Sequence, residues 1–153
     1  MTNWRKLFLQ YERVDEANSI PADIFVSVHH NAMPNNNSVS GIENFYYEYH
    51  DNDTYKPRNE GSDTYKLATS PQRALESVNL AGEIHNQLIG DTGASDRGVQ
   101  EMGFAVIRET TMPAVLLELG FMTNSTELNK LTSNSYQNVL ARAIVQGINN
   151  YFK

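Results

Sequence analysis

Two short, mostly apolar stretches constrain the fold more than any other feature of the chain. Residues 23–29 have the sequence Asp-Ile-Phe-Val-Ser-Val-His, in which both alternating faces are mostly apolar. Residues 114–119 have the sequence Ala-Val-Leu-Leu-Glu-Leu, an almost unbroken apolar run. Strands that are covered on both faces inside an α/β sheet show this pattern. The sequence therefore predicts two buried strands, one ending at His29 and one containing Glu118.

The spacing of apolar residues also predicts three helices. An amphipathic helix is predicted over 4–14, where apolar side chains recur at helical spacing. Ser70 is a suitable N-cap for a second helix over 71–89, and Gly90 is expected to end that helix. The last helix is predicted over 136–151, again from its apolar stripe.

Two further strands and two loops complete the pattern. Strands are predicted over 42–49, which is rich in aromatic residues, and over 103–108. Polar, turn-forming sequences predict exposed loops over 31–40 and 50–64. Because strands alternate with helices along the chain, we expect an α/β layered domain.

Length and composition narrow the class of protein. The chain has 153 residues, a formal net charge of -6 and no cysteine. That length corresponds to about one domain, and the acidic balance argues against a nucleic-acid partner. Without cysteine there is neither a disulfide framework nor a thiolate metal site. No apolar run approaches the ~18 residues of a membrane span, so we expect no membrane segment.

Two polar residues in apolar strands are the candidates for chemistry. His29 ends the first strand and Glu118 lies inside the second, where an isolated carboxylate is expensive to bury. A histidine and a carboxylate at strand ends are the minimum set for a hydrolytic metal site. The alternative is structural, with His29 as an ordinary strand-end residue and Glu118 accepting from Arg97 or Arg108. Pattern alone leaves both interpretations open.

The residues around these two positions resemble, in order, five sequence blocks of one family. Residues 22–32 resemble its "AD-(I/L)-F-(V/I)-S-(I/V)-H-x-N-A" stretch, and residues 112–124 resemble its "P-A-V-L-x-E-x-G-F-x-x-N" signature. The other matching blocks are Glu12-Arg13 with Ala17-Asn18, Gly41-Ile42-Glu43 with Phe45-Tyr46-Tyr47, and Asp96-Arg97-Gly98-Val99. Over nearly its whole length the chain thereby resembles the zinc-dependent N-acetylmuramoyl-L-alanine amidases, which are peptidoglycan hydrolases.

This resemblance implies a fold and a reaction. The implied fold is α/β, with a twisted mixed β-sheet flanked by helices on both faces. The implied reaction is hydrolysis of the amide between N-acetylmuramic acid and the L-alanine of the stem peptide by zinc-activated water. His29 matches a zinc ligand of the family, and Glu118 matches its catalytic glutamate, which acts as general base and then as general acid.

Three further residues are candidates for substrate binding. Arg97 is expected either to contact a carboxylate of the substrate peptide or to pair with Glu118 or Asp96. Glu43 is expected to orient a ligand or to contact substrate. Asn31 flanks the histidine motif, where it would hydrogen-bond to substrate or fix the loop.

The chain departs from the family in its zinc ligands. The family binds one Zn²⁺ through His, Glu and His, and the blocks carrying the first two ligands have no counterpart here. Residues 1–153 are therefore expected to form a single amidase catalytic domain that is incomplete at its N-terminus and lacks one or more early strands. An exposed sheet edge invites pairing, so we expect either a homodimer through that edge or a rearranged start.

The resemblance also sets expectations about location and partners. Bacterial peptidoglycan is the expected partner, at the cell wall or outside a bacterium, for a secreted autolysin or a phage-encoded endolysin. No signal peptide stands at the start of this chain. The alternative function is a catalytically silent relative that binds peptidoglycan or a partner protein.

Overall fold

The computed structural model describes residues 3–48, 50 and 70–153, and describes side chains from residue 10 onward. Helices and strands alternate, as predicted. Their bounds are α1 (Asn3–Ser19), β1 (Phe25–Asn31), β2 (Ile42–Tyr46), α2 (Pro71–Thr92), β3 (Asp96–Glu101), α3 (Ala105–Arg108), β4 (Ala114–Phe121), α4 (Ser125–Leu131) and α5 (Asn134–Tyr151). Apart from His50, the loop predicted over 50–64 lies outside the described residues.

The four strands form one mixed sheet in the order β1-β4-β2-β3. β1 is parallel to β4, β4 is antiparallel to β2, and β2 is parallel to β3. The carboxyl ends of β1 and β4 therefore meet the amino ends of β2 and β3 at the same edge of the sheet. This confirms the mixed α/β fold and brings residues from all four strands to one place.

The connection between β1 and β2 crosses over the end of β4, because those two strands lie on either side of it. Two hydrogen bonds hold this connection to the residues that follow β4. The Met33 backbone N–H donates to Thr123 Oγ1 at 3.1 Å, and Asn124 Nδ2 donates to the Val39 carbonyl at 3.3 Å. The connection is thereby fixed above the carboxyl end of the central strand.

Helices cover both faces of the sheet. On one face α2 and α5 pack against alternate residues of β4, including Val115, Leu117 and Leu119. On the other face Val14 of α1 and Ile107 of α3 belong to a cluster with the intervening β4 residues. Because strand side chains alternate between faces, Glu118 projects on the α1 and α3 side.

Within the described part of the chain, β1 is an edge strand with β4 as its strand neighbour. Val28 is 52% exposed, and Ile20, which directly follows α1, is similarly exposed. Together with Ile24 and Val26 they line an open groove of about 400 Å³. The prediction that 23–29 is a buried strand is therefore wrong for its outer side, because an apolar pattern does not distinguish a central strand from an uncovered edge.

One strand prediction was wrong, and one strand was not predicted. The segment predicted as a strand over 103–108 contains the short helix α3, and the third strand along the chain is instead β3. The β3 sequence Asp-Arg-Gly-Val-Gln-Glu has no apolar alternation, and it becomes a strand by pairing with β2. At β3, pairing with β2 outweighed the local pattern.

The helix boundaries follow local capping. Ser70 accepts a hydrogen bond from the Arg73 N–H, which confirms the predicted N-cap of α2. The helix passes through Gly90 and ends instead at Gly93, whose φ of 62° is the left-handed conformation that glycine adopts readily. Asn124 caps α4, a helix that the sequence pattern did not predict. No helix among the described residues is both long and apolar enough to span a membrane.

Candidate active site

One residue from each strand contributes to a row that crosses the sheet. His29 of β1 is in register with Glu118 of β4, which lies opposite Glu43 of β2. Arg97 of β3 continues the row, because its Nε donates to Glu43 Oε2 at 2.9 Å. Neighbouring strands lie about 4.8 Å apart, so the four residues are spread over roughly 15 Å of sheet. The structure thus brings together the sequence-predicted residues at the edge where β1 and β4 end.

Glu118 carries a buried oxygen atom with no hydrogen-bond partner. Its Oε2 is buried and no group among the described residues pairs with it. Burial, and secondarily the charge of Glu43, raise the pKa of Glu118 to about 7. The structural alternative, in which Glu118 accepts from an arginine, is wrong, since Arg97 bonds to Glu43 and Arg108 to Glu109. A carboxyl group with this pKa takes up and releases a proton near neutral pH.

His29 is half-buried beside Glu118. Its Nε2 shares a hydrogen bond of 2.8 Å with the hydroxyl of Ser27, two residues earlier on the same face of β1. Burial lowers the pKa of His29, and the charges of Arg13 and His30 lower it further. The imidazole is therefore neutral at pH 7, which is the form that binds zinc.

Glu43 joins two of the other predicted site residues. Asn31 Nδ2 donates to Glu43 Oε1 at 2.7 Å, while Arg97 Nε donates to Oε2. The predicted pairing of Arg97 with Glu118 or Asp96 is therefore wrong. Asp96 is instead bonded to the buried His85 of α2 at 2.7 Å. Because Asn31 is on β1 and Glu43 on β2, their hydrogen bond spans β4.

Glu127 of α4 supports this edge, and sequence reasoning missed it. Its Oε1 accepts from the Gly41 N–H at 2.9 Å, and its Oε2 accepts from the Phe121 N–H at 2.7 Å. It therefore ties the start of β2 to the end of β4. The signal available in the sequence was its position three residues after Asn124, where a glutamate often accepts from backbone N–H groups near a helix start.

The donor groups at His29 and Glu118 are of types that bind zinc, but the described residues there are too few to complete a zinc site. A neutral imidazole and an unpartnered carboxylate oxygen are suitable donors, yet structural and catalytic zinc sites use three or four protein ligands. In the described ranges, the three-residue His and carboxylate group close enough to share an ion is Glu48, His50 and Glu101. It lies at the far end of β2, about five residues or roughly 16 Å of strand from Glu43. This exposed group therefore does not complete a site at His29.

Comparison with known proteins gives a consistent family. A family model described as N-acetylmuramoyl-L-alanine amidase matches residues 6–150. The chain is 38% identical over 141 residues to the uncharacterized protein YqiI of Bacillus subtilis strain 168, covering 92% of this chain and 57% of that protein. It is 35% identical over 142 residues to the N-acetylmuramoyl-L-alanine amidase LytC of the same strain, covering 93% of this chain and 24% of that protein.

A solved structure agrees in both sequence and fold. The N-acetylmuramoyl-L-alanine amidase from Clostridium difficile 630 superposes with a TM-score of 0.73 at 32% identity, covering 94% of this chain and 64% of that one. The chain thus spans less than two thirds of the length of each of these three proteins. Since the family match runs through almost all of its residues and the fold agrees, the chain belongs to the N-acetylmuramoyl-L-alanine amidase family.

Proposed function

We propose that residues 1–153 form one peptidoglycan amidase catalytic domain that lacks an N-terminal portion. Its reaction is hydrolysis of the amide between the lactyl group of N-acetylmuramic acid and the L-alanine of the stem peptide. The observation that carries this proposal is the buried, unpartnered Oε2 of Glu118, on the strand next to His29 and in register with it. Membership of the family supports it. The place of action is the bacterial cell wall.

Zinc is the metal that this family chemistry implies, and His29 would be one of its ligands. When bound, zinc supplies a water of lowered pKa and polarises the amide carbonyl. Two further ligands would be needed, and the described residues around His29 do not provide them. Ser27 holds the imidazole in orientation through its 2.8 Å hydrogen bond.

Glu118 moves the proton in the proposed reaction. Its carboxylate takes a proton from water as the water oxygen bonds to the amide carbon. As the carbon–nitrogen bond breaks, Glu118 returns that proton to the leaving nitrogen. The products are the lactyl carboxylate and a free α-amino group on alanine. A pKa of about 7 suits both steps, because neither protonation state is strongly favoured at neutral pH.

Asn31 and Glu43 hold the edge on which this chemistry takes place. Their hydrogen bond crosses β4 and ties the end of β1, two residues after His29, to the start of β2. Asn31 also accepts from the Ala32 N–H at 2.7 Å, which fixes its amide. One of its two amide hydrogens is engaged by Glu43, and the other is a donor for substrate.

The test is release of stem peptide from purified peptidoglycan by the zinc-supplemented chain, measured as new alanine amino groups. Glu118→Gln is expected to lower the rate by at least about 100-fold, because it removes the proton acceptor. Glu12→Gln, an exposed change on α1, serves as the control and is expected to keep the rate. Release that is unaffected by Glu118→Gln would refute the assigned role.

A second candidate function is a catalytically silent relative that binds peptidoglycan or a partner protein. It is favoured by the absence, among the described residues, of a three-ligand group that includes His29. This function predicts that the chain sediments with purified sacculi and releases no peptide at any zinc concentration. Peptide release that depends on Glu118 excludes it.

A further inference from the structure

We infer that Arg97 forms a carboxylate subsite that selects stem peptides with a free carboxylate on the residue after the alanine. This inference rests on the proposed function, since it assigns the substrate class of the same site. The feature behind it is a guanidinium group that the fold holds in place through Nε, while both Nη1 and Nη2 remain unused as donors toward the described residues.

Three contacts hold the Arg97 side chain. Its Nε donates to Glu43, and its guanidinium carbon lies 5.0 Å from the centre of the Phe121 ring. Its stem packs against Gly41, where a Cβ atom would lie 2.9 Å from Arg97 Cγ. Gly41 also has a φ of +117°, which side-chain-bearing residues rarely adopt. Glycine at this position therefore gives the arginine the room that it occupies.

The outer part of the guanidinium has no acceptor among the residues that the structure describes. Among the described residues, hydrogen bonds from Arg97 involve Nε, and none involves Nη1 or Nη2. The side chain is 34% exposed, so these nitrogen atoms face solvent at the site edge. Two parallel N–H groups match the two oxygens of a carboxylate, and a planar arginine held in advance loses little entropy on binding one.

The position of Arg97 fits the second residue of the stem. β3 is two strands from β4, so the Arg97 and Glu118 backbones are roughly 10 Å apart. A peptide extends by about 3.5 Å per residue, so a carboxylate on the residue after alanine is about 7 Å from the cleaved amide. The long arginine side chain covers the remaining distance. A stem peptide lying across the row from His29 to Arg97 would thus bring that carboxylate to Nη1 and Nη2.

The chemical distinction is between a carboxylate and a carboxamide. The second residue of a stem peptide is a γ-linked glutamate whose α-carboxyl group is free in some cell walls and amidated in others. A carboxamide lacks the negative charge and turns an –NH₂ group toward the arginine donors, so it forms a weaker pair. Arg97 therefore favours the non-amidated stem.

The experiment compares two soluble muropeptides by NMR titration of the ¹⁵N-labelled chain. The probes are N-acetylmuramoyl-L-alanyl-D-glutamate γ-methylamide and its α-carboxamide. We expect the acid to bind about tenfold more tightly, which is about 1.4 kcal/mol for a charge-assisted pair at an exposed edge. In Arg97→Gln the two dissociation constants should converge, while Arg142→Gln on the exposed surface of α5 should keep the preference.

The subsite would be overturned if the wild-type chain bound the two probes equally or bound neither. This comparison uses only the wild-type chain, so it does not depend on whether a variant folds. A preference that survives Arg97→Gln would also overturn it. Peptide release by the zinc-supplemented chain is measured in parallel. If the proposed function fails, the chain releases no stem peptide but still binds the acid more tightly than the carboxamide. If the subsite fails, the chain releases stem peptide but binds the two probes equally.

Discussion

Glu43 and Glu118 lie directly opposite each other in the antiparallel pair of β2 and β4. The two carboxyl groups have different surroundings. Glu43 accepts hydrogen bonds from Asn31 and Arg97, while Oε2 of Glu118 is buried without a partner. Burial of Glu118, and secondarily the nearby charge of Glu43, shift Glu118 toward its protonated form.

The first prediction concerns the pH dependence of stability. The pKa of Glu118 is raised from 4.5 to about 7, so the folded chain binds the extra proton between these values. The stabilising contribution of protonated Glu118 is fully present below pH 4.5 and is lost as pH rises through 7. Glu118→Gln should therefore raise the free energy of unfolding at pH 8 by about 2 kcal/mol, allowing for partial exposure, and by little at pH 4.

Urea unfolding of both proteins in EDTA at several pH values measures this difference. Glu12→Gln, an exposed change on α1, is the control and should show no such trend. A difference between Glu118→Gln and wild type that stays constant from pH 4 to 8 would contradict the raised pKa.

The second prediction concerns zinc. If His29 is a ligand, zinc retained by the purified chain after gel filtration should fall at least tenfold in His29→Ala, as measured by elemental mass spectrometry. His30→Ala is the matched control, because His30 is the exposed neighbour on the opposite face of β1. Equal loss in both variants would argue against a specific ligand, and no zinc in the wild type would favour the silent-relative function.

The third prediction concerns the Glu43 contacts. Glu43→Gln keeps the shape of the side chain but replaces a carboxylate oxygen that accepts from Arg97 by an amide. We expect a loss of about 1–2 kcal/mol in the free energy of unfolding, since hydrogen bonds to buried charged groups are among the stronger ones. Chemical denaturation measures it, with Glu48→Gln at the exposed end of the same region as the control. Equal stability of the two variants would show that these contacts contribute nothing.

The fourth prediction tests the packing of α2 on α5. A Cβ atom added at Gly147 would lie 2.4 Å from the Ile84 Cα, so the two helices would have to separate. Gly147→Ala should destabilise the fold by about 1–3 kcal/mol. Gly82→Ala is the matched control: nothing lies within 4 Å, and alanine should stabilise the helix by about 0.5–1 kcal/mol. Thermal unfolding that shifts in the same direction for both variants would contradict this packing.

The fifth prediction concerns self-association through the open side of β1. Pairing of two β1 edges would cover Val28 and give a dimer at micromolar concentration in light scattering. Val28→Lys should shift the equilibrium to monomer, whereas Val145→Lys, which replaces an equally exposed valine on α5, should not. A wild-type chain that is monomeric at high concentration would refute pairing through this edge.

Sequence predicted the parts of the site that lie on strongly patterned strands. His29 and Glu118 were identifiable because polar residues interrupt apolar runs, and those runs do form β1 and β4. The family blocks added Asn31, Glu43 and Arg97, and the structure places all five at one edge of the sheet. Register and hydrogen bonds connect these residues into one row of side chains across the sheet.

Other features depend on long-range contacts and left no local signal. β3 exists because it pairs with β2, and its own sequence lacks a strand pattern. The partner of Arg97 could not be chosen from sequence, because Glu43 is 54 residues away and Asp96 is adjacent. Strand order decides this choice, and strand order is not encoded in the spacing of any one segment.

The connection from residue 32 to residue 41 has a consequence for how such domains diversify. It passes over the end of β4 beside the site and is held there by hydrogen bonds to Thr123 and Asn124, outside the packed core. Residues inserted here would add bulk beside the site edge and leave the sheet register unchanged, at a small entropic penalty. A longer connection would therefore change access to this edge of the sheet without changing the strands that hold His29 and Glu118.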